Sequence, residues 1–224
     1  MNFRRAFILA GKDLRIEFRS RQTLNFMFLF SFVTLLMFNF AIEPYSQTAR
    51  EVAPGFLWFV LIFAGLLGLS RAFVKEKETG TLEGLKLSPM GYNEILLGKI
   101  VYNLVLVLAI ELIAFPLFIV LFSYSIKGSA LDALLILTLG SVGLVVVGSF
   151  LSAAVLSARS RELVLQIVVL PLLLPVIIPT IMALREVMLY GTPLPGIKEI
   201  KLILFYIIVM TTLSSLLFSY VMEE

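Results

Sequence analysis

The chain has 224 residues, of which 60% are hydrophobic and 15% are charged. Its mean hydropathy is +1.03. A soluble globular protein is about half apolar and about a quarter charged, so this composition indicates an integral membrane protein. The formal net charge is +3, but the cations flank long apolar runs, where positive charge sets orientation, so we expect no nucleic-acid binding. The lack of Cys and His excludes disulfides, thiolate metal sites and imidazole bases or ligands.

Residues 1–23 predict an amphipathic helix that lies in the headgroup layer of the membrane. Apolar residues recur at spacings of four, three, four and four, which places them on one helical face: Phe3, Phe7, Ala10, Leu14 and Phe18. Cations fall largely on the other faces: Arg5, Lys12, Arg15 and Arg19. Aromatic residues toward lipid and cations toward phosphate are typical of an interfacial helix. A helix packed on a soluble partner is the alternative.

Six apolar runs are long enough to cross a hydrocarbon core that is ~30 Å thick. They are Leu24 to Ile42, Phe56 to about Val74, Lys99 to about Tyr124, Leu131 to Ala158, Leu163 to Leu184 and Leu202 to Met222. Six crossings put both termini on one side, and thirteen of the eighteen Lys and Arg residues then lie there, which predicts cytoplasmic termini. We expect an all-α protein with a single membrane domain over residues 1–224, and Trp58 as an interfacial anchor near the outer surface.

The polar segment over residues 75–99 lies between the second and third spans and carries charges of both signs, so it faces water or another protein. Gly80 and Gly84 limit any helix before Leu87 to a short one. Ser88 and Pro89 have the residue types of an N-cap and a first helical position, so we expect the third span to begin there. A short crosswise helix joined to a membrane helix would transmit a push. An ordinary solvated loop is the alternative.

The stretch from Gly91 to Lys99 superficially resembles a phosphate-binding loop. That loop has four residues between its glycines, followed by Lys and a hydroxyl residue. Here six residues separate Gly91 from Gly98, and Ile100 follows Lys99, so no hydroxyl is available for magnesium. The chain does not bind ATP by this motif.

Glu111 is the one carboxylate deep in a predicted span, about 18 Å along the helix from Lys99. An isolated charge at that depth costs at least ~2.5–3.5 kcal/mol, so we expect Glu111 to be protonated, paired or facing a polar cavity. It is either a residue of a substrate path or a structural hydrogen-bond partner, for instance of Ser or Thr on a neighbouring helix.

Two further patterns concern helix packing. Gly148 and Ser152, in a fourth span rich in small residues, allow close helix approach within the chain or across a dimer. Prolines recur every four residues in the fifth span, which predicts a kinked, bent or re-entrant helix with a structured outer cap over residues 171–201: Pro171, Pro175 and Pro179.

The pattern E-x-E-x-G-T-L-E-G-L-x-L-S-P-x(8)-G-K over Glu76 to Lys99 and the series L-P-L-L-L-P-V-I-I-P resemble the CcmB family of haem exporter membrane subunits. With the basic amphipathic start and six spans, the likeness covers essentially the whole chain. The layout also resembles ABC-2 type exporter permeases.

The resemblance implies a non-catalytic permease subunit in a bacterial inner membrane, with a CcmA-like ATPase and a CcmC-like haem-handling subunit as partners. ATP would be bound by the partner, and haem would be handled by the complex. It implies contact with the ATPase through the segment after the second span: Glu76, Glu78, Gly80, Leu82, Glu83, Leu85, Leu87 and Pro89. Because the chain has no His and no Cys, we expect that it binds no cofactor and does not ligate haem iron strongly itself.

Other functions stay open at this point. An ABC-2 permease for lipid, glycan or drug export would show the same layout. A proton-coupled secondary transporter would use Glu111 as its proton carrier and would work without ATP. A membrane-embedded enzyme is not expected, because no nucleophile-base pair is visible. The second membrane half could be another copy of this chain, in a homodimer, or a different subunit.

Overall fold

The computed structural model of the protein describes residues 2–41, 47–73, 76–77, 80–156 and 161–223. All regular secondary structure in these ranges is helical, as expected. The helices are α1 (Phe3–Ser20), α2 (Gln22–Ala41), α3 (Gln47–Leu69), α4 (Leu82–Lys86), α5 (Tyr92–Leu121), α6 (Ala130–Ala154), α7 (Arg161–Arg185) and α8 (Glu199–Glu223), with a π-helix at Glu186–Tyr190 and a 3-10 turn at Leu194–Gly196.

Six of the described helices are long and apolar enough to cross a membrane, which confirms the six predicted spans. They are α2, α3, α5, α6, α7 continued by the π-helix, and α8. With 20 to 30 residues each, they measure roughly 30–45 Å at ~1.5 Å per residue. The third crossing helix begins at Tyr92, seven residues before the Lys99 start expected from hydropathy.

Helix α6 occupies the middle of the bundle, and its small residues explain how its neighbours approach it. A Cβ added at Gly140 would lie 2.7 Å from the Trp58 ring of α3, and one added at Gly143 would lie 3.1 Å from Val176 of α7. At Gly148 an added Cβ would overlap the side chain of Leu69 in the same way. The small residues of this helix therefore serve packing within the chain.

The position of Trp58 corrects one expectation from the sequence. We expected an interfacial anchor, but the side chain is fully buried and lies against Gly140. Its indole Nε1 has no hydrogen-bond partner among the described residues. The prediction was wrong because an aromatic residue near the end of a span fits an interface or a glycine-lined interior equally well, and periodicity does not distinguish the two.

Helix α7 runs without interruption from Arg161 to Arg185 through all three prolines, so the expectation of a re-entrant segment is wrong. Kinks at Pro171, Pro175 and Pro179 stay a prediction. Each proline lacks the N–H that would bond the carbonyl four residues earlier. The hydroxyl of Tyr206 in α8 donates to the nearby Leu172 carbonyl at 2.7 Å, which gives the proline stretch a lateral partner.

The chain termini and the polar segment lie at the same end of the bundle. A separate buried cluster there joins α1, the end of α3, the start of α5, the end of α6 and the end of α8: Leu9, Ala72, Phe73, Ile95, Leu96, Ala153, Leu156, Phe218 and Met222. At the opposite end, the backbone N–H groups of Lys127 and Gly128 donate to the carbonyls of Met188 and Val187 in the π-helix, each at 3.1 Å. This arrangement agrees with an even number of crossings.

We predict that Gly140→Ala destabilises the bundle, because the new methyl group would overlap the buried Trp58 ring. Overpacking of this kind costs about 1–3 kcal/mol of the free energy of unfolding. The matched control is Gly55→Ala on α3, whose Cβ would lie 3.8 Å from Ile181, an ordinary contact. Thermal unfolding in detergent, followed by Trp58 fluorescence, compares the two variants. Equal melting temperatures would show that α3 and α6 are not in close contact at Gly140.

Candidate functional site

The candidate site is the polar segment between α3 and α5, at the end of the bundle that holds the termini. The described part contains the predicted short helix α4, which follows Gly80 with its positive φ of 66°. Glu83, Leu87 and Pro89 are exposed, and Leu87 has 87% of its surface open. We call Gly80, Glu83, Leu87 and Pro89 the coupling surface.

Two members of the predicted contact set lie beneath this surface. Leu85 is half-buried and packs on the apolar cluster at this end of the bundle. Glu76 is also buried, with its side chain directed inward. A direct contact between the Glu76 carboxylate and a partner, as expected from the sequence, therefore does not fit this geometry. Glu78 lies outside the described residues, and so does the side chain of Leu82.

The inward side of the segment is held by a buried cation. Lys99 of α5 is 1% exposed, and its Nζ lies 2.9 Å from Asp13 Oδ2 and 2.5 Å from Glu76 Oε1. The same Nζ donates to the Ala72 carbonyl at 2.8 Å and lies 4.9 Å from the centre of the Phe73 ring. We call Lys99, Asp13 and Glu76 the lysine cluster. It joins α1, the polar segment and α5 through one ammonium group.

Helix α1 carries Asp13 into this cluster because it packs along the start of α5. Gly98 permits the approach, since a Cβ there would meet the Ala6 carbonyl at 3.0 Å. The buried face of α1 is Ala6, Leu9, Ala10, Asp13 and Glu17. Phe3, Phe7 and Phe18 of the predicted apolar face are exposed, whereas Ala10 is buried and Leu14 packs on the core. Helix α1 thus presents one stripe to the protein and a neighbouring aromatic stripe outward.

Glu17 on the same buried face fixes the junction between α1 and α2. Its carboxylate accepts hydrogen bonds from the backbone N–H groups of Thr23 at 2.7 Å and Leu24 at 3.1 Å, and from the Thr23 hydroxyl at 2.9 Å. These N–H groups belong to the first turn of α2, where no intrahelical acceptor exists. The acid therefore caps the first crossing helix and ties it to α1.

The start of α5 differs from the expected cap. Ser88 donates from its hydroxyl to the Leu85 carbonyl at 2.8 Å, so it closes the end of α4 instead of beginning α5. Gly91 precedes the first turn of α5, and Glu94 accepts from the Gly91 N–H at 3.3 Å and from the Asn2 N–H at 2.6 Å. Arg5 reaches this corner as well, at 3.8 Å from Glu94. Gly91, in an extended conformation, is the N-cap residue of α5, the position that we had assigned to Ser88.

At membrane depth, Glu111 of α5 is 1% exposed and accepts hydrogen bonds from α6. The donors are the hydroxyls of Thr138 at 2.9 Å and Ser141 at 2.8 Å. Further toward the termini, the Asn103 amide donates to the Ser149 hydroxyl at 2.9 Å. Both carboxylate oxygens of Glu111 are thus engaged between two helices, as the structural alternative expects.

The profile of the CcmB protein family matches residues 4–222 of this chain. The chain belongs to the CcmB family. It is 30% identical over 191 residues to heme exporter protein B of Pseudomonas aeruginosa, which covers 84% of each chain. It is 27% identical to heme exporter protein B of Rhodobacter capsulatus, over 76% of this chain and 78% of the relative, and 30% identical to that of Paracoccus denitrificans, over 75% and 76%. The resemblance drawn from the polar segment and the proline series is confirmed.

The lysine cluster of this CcmB chain was not predicted from its sequence. Two signals could have indicated it. Asp13 and Glu17 stand four residues apart on an otherwise basic helix, which puts both acids on one face. Lys99 lies within a helix that is otherwise strongly apolar around it, where a cation needs a partner. The pairing itself spans 86 residues between Asp13 and Lys99, a separation that local periodicity does not resolve.

We predict that Lys99→Met strongly destabilises the protein, because it leaves the buried Glu76 carboxylate without a counter-charge and Asp13 with only the half-exposed Lys12. Removal of one partner from a buried ion pair costs about 3–5 kcal/mol. Lys12→Met is the matched control: Lys12 lies 3.1 Å from Asp13 but is half exposed, and exposed pairs contribute about 0–1 kcal/mol. Unfolding midpoints in detergent separate the two.

A triple variant tests the cause of that loss. Adding Asp13→Asn and Glu76→Gln to Lys99→Met removes the stranded charges, so part of the lost stability should return. No recovery, or a Lys99→Met effect no larger than that of Lys12→Met, would show that the cluster is not electrostatically coupled.

Proposed function

We propose that this chain is the permease subunit of an ABC-type complex that moves haem during cytochrome c maturation, and that a separate ATPase drives it through the coupling surface. Its membership in the CcmB family and its similarity to bacterial proteins named heme exporter protein B support the proposal. The observation that carries the coupling step is the exposed Leu87 beside Glu83.

An isolated exposed leucine needs no explanation on a soluble surface. Leu87 is different in two respects. It lies in a polar segment that is too charged to enter lipid, and 87% of its surface is open. Its backbone is also anchored on both sides, because Leu85 packs inward beside it and the Ser88 hydroxyl donates a hydrogen bond to α4. An anchored apolar side chain next to an acid suits a docking site. The partner would offer a groove that is both basic and apolar.

Contact at this surface would be transmitted along two routes. Glu76, just before α4, accepts a hydrogen bond from Lys99, which connects the polar segment to α5. Lys77 donates to the Leu156 carbonyl just after the end of α6. A partner that displaces α4 therefore acts on both helices through short polar contacts, and no lipid-exposed side chain is needed for the step.

The chain is a multi-pass membrane protein. We place it in the bacterial inner membrane with both termini and the coupling surface in the cytoplasm, where ATP is available. In this orientation thirteen of the eighteen Lys and Arg residues lie on the cytoplasmic side, as the positive-inside rule expects. Phe3, Phe7 and Phe18, exposed on α1, would enter the headgroup layer of the cytoplasmic leaflet.

We predict that Leu87→Asp lowers co-purification with the cognate ATPase at least tenfold, a loss of about 1.4 kcal/mol in binding. Adding Glu83→Arg should deepen the loss. The control is Leu131→Asp, the same change at a residue 68% exposed at the start of α6, at the other end of the bundle. Glu76 is left unchanged, because reversing a buried charge would disrupt the lysine cluster itself. Unchanged ATPase recovery with Leu87→Asp would exclude this docking surface.

Haem iron would be ligated elsewhere in the complex, in a CcmC-like subunit, because this chain has no His and no Cys. Of the residue types that most often ligate haem iron, Met and Tyr remain. We expect that the purified full chain, titrated with ferric haem in detergent, gives no defined axial-ligand absorption spectrum, while detergent alone with haem serves as the reference. A saturable spectrum with one haem per chain would reassign the haem site to this subunit.

A further inference from the structure

A long apolar groove lies between α3 and α7 on the outside of the bundle, with a volume of about 840 Å³. Its α3 wall runs from Glu51 to Phe63, and its α7 wall runs from Leu170 to Arg185. These stretches measure roughly 18 and 22 Å at ~1.5 Å per residue. A single leaflet contributes about half of the ~30 Å hydrocarbon core, so the groove has the length of one leaflet and part of its headgroup layer.

The groove wall is aromatic and aliphatic along its whole depth. Phe38 and Phe56 lie 4.3 Å apart between ring centres, and Phe59 and Phe63 lie 4.5 Å apart. Leu174, on the opposite wall, is 52% exposed. A surface of this kind suits a flexible hydrocarbon chain.

Charged residues are confined to one end of the groove, the end opposite the termini. Arg185 and Glu51 line that end. Glu51 also lines a second, polar pocket of about 280 Å³ that includes Arg50 and Lys127. An apolar groove and a cationic pocket therefore meet at Glu51, and three cations surround the junction.

Arg185 supplies the observation that points to an occupant. Its Nε is buried and has no hydrogen-bond partner among the described residues. A buried donor on a cation without a partner is costly, and a phosphate oxygen would satisfy it with a charge-assisted bond. A helix that offers only apolar side chains to the groove would leave this donor unpaired.

We propose that the groove binds an anionic phospholipid of the leaflet opposite the termini, with an acyl chain between α3 and α7 and its phosphate at Arg185. Basic pockets between membrane helices are known to take lipid head groups. Arg50 and Lys127 face the same junction and select a net negative head group over a zwitterionic one. This site is independent of the ATPase assignment, because it lies at the other end of the bundle from the coupling surface.

The first test uses the unmodified full chain. Native mass spectrometry of the protein in detergent with equal amounts of phosphatidylglycerol and phosphatidylcholine should show at least threefold more of the anionic lipid retained. Arg185→Gln should bring the two lipids to parity. Lys198→Gln is the control, because it removes one charge from an exposed residue at the same end that does not line the groove. Equal retention by the unmodified chain, or a preference that Arg185→Gln leaves intact, overturns the proposal.

The second test locates the lipid and does not depend on the Arg185 variant. Phe59→Trp puts a fluorophore in the groove, and Phe205→Trp puts one on the exposed face of α8, with buried Trp58 as a shared background. Chain-brominated phosphatidylglycerol should half-quench the groove reporter at a mole fraction at least threefold lower than brominated phosphatidylcholine does. The α8 reporter should not distinguish them.

Three results would overturn the assignment. Equal quenching by the two lipids in the groove would mean ordinary annular lipid. Quenching by neither would mean that a protein surface, such as a second copy, covers the groove. Release of the brominated lipid by stoichiometric ferric haem, without any preference between the two head groups, would reassign the groove to haem.

Discussion

A buried ammonium group fixes one end of this molecule. Lys99 Nζ has been removed from water and is compensated by two carboxylates and one backbone carbonyl. Desolvation of such a charge costs several kcal/mol unless its partners are correctly placed. The positions of α1 and of the polar segment are therefore set by the need of one side chain on α5. Loss of either carboxylate would remove one of the contacts that hold these elements on α5.

This constraint gives α1 two separate functions. Through Asp13 and the close approach at Gly98 it braces α5, and through Glu17 it caps α2. Its aromatic stripe, with Phe3 and Phe7 outward, is free of these tasks and can lie in lipid. An amphipathic helix of this kind is usually interpreted as an interfacial helix that lies in the headgroup layer. Here α1 also fixes the positions of α2 and of the polar segment relative to α5.

The sequence predicts the parts of the structure that depend on local composition. Hydropathy over about twenty residues locates six crossings, because the bilayer demands length and apolarity from each helix separately. Gly80, with its positive φ, likewise precedes the short α4, although Gly84 lies inside that helix and does not interrupt it. Contacts between distant segments are not encoded in this way. Asp13 and Lys99 are 86 residues apart, and Trp58 meets Gly140 across two helices, so periodicity gives no indication of either pair.

The two buried polar sites on α5 determine what a push on the coupling surface can move. In the proposed mechanism Lys99 would receive the push at the end that holds the termini, but α5 is not free to slide alone. Asn103 bonds Ser149, and Glu111 bonds Thr138 and Ser141, all on α6. These two ties lie roughly 12 Å apart along the helix. A pair of helices joined at two depths resists both sliding and twisting, and Lys77 bears on the end of α6 directly. Under the proposed coupling, displacement of α4 would therefore reach α5 and α6 as one body.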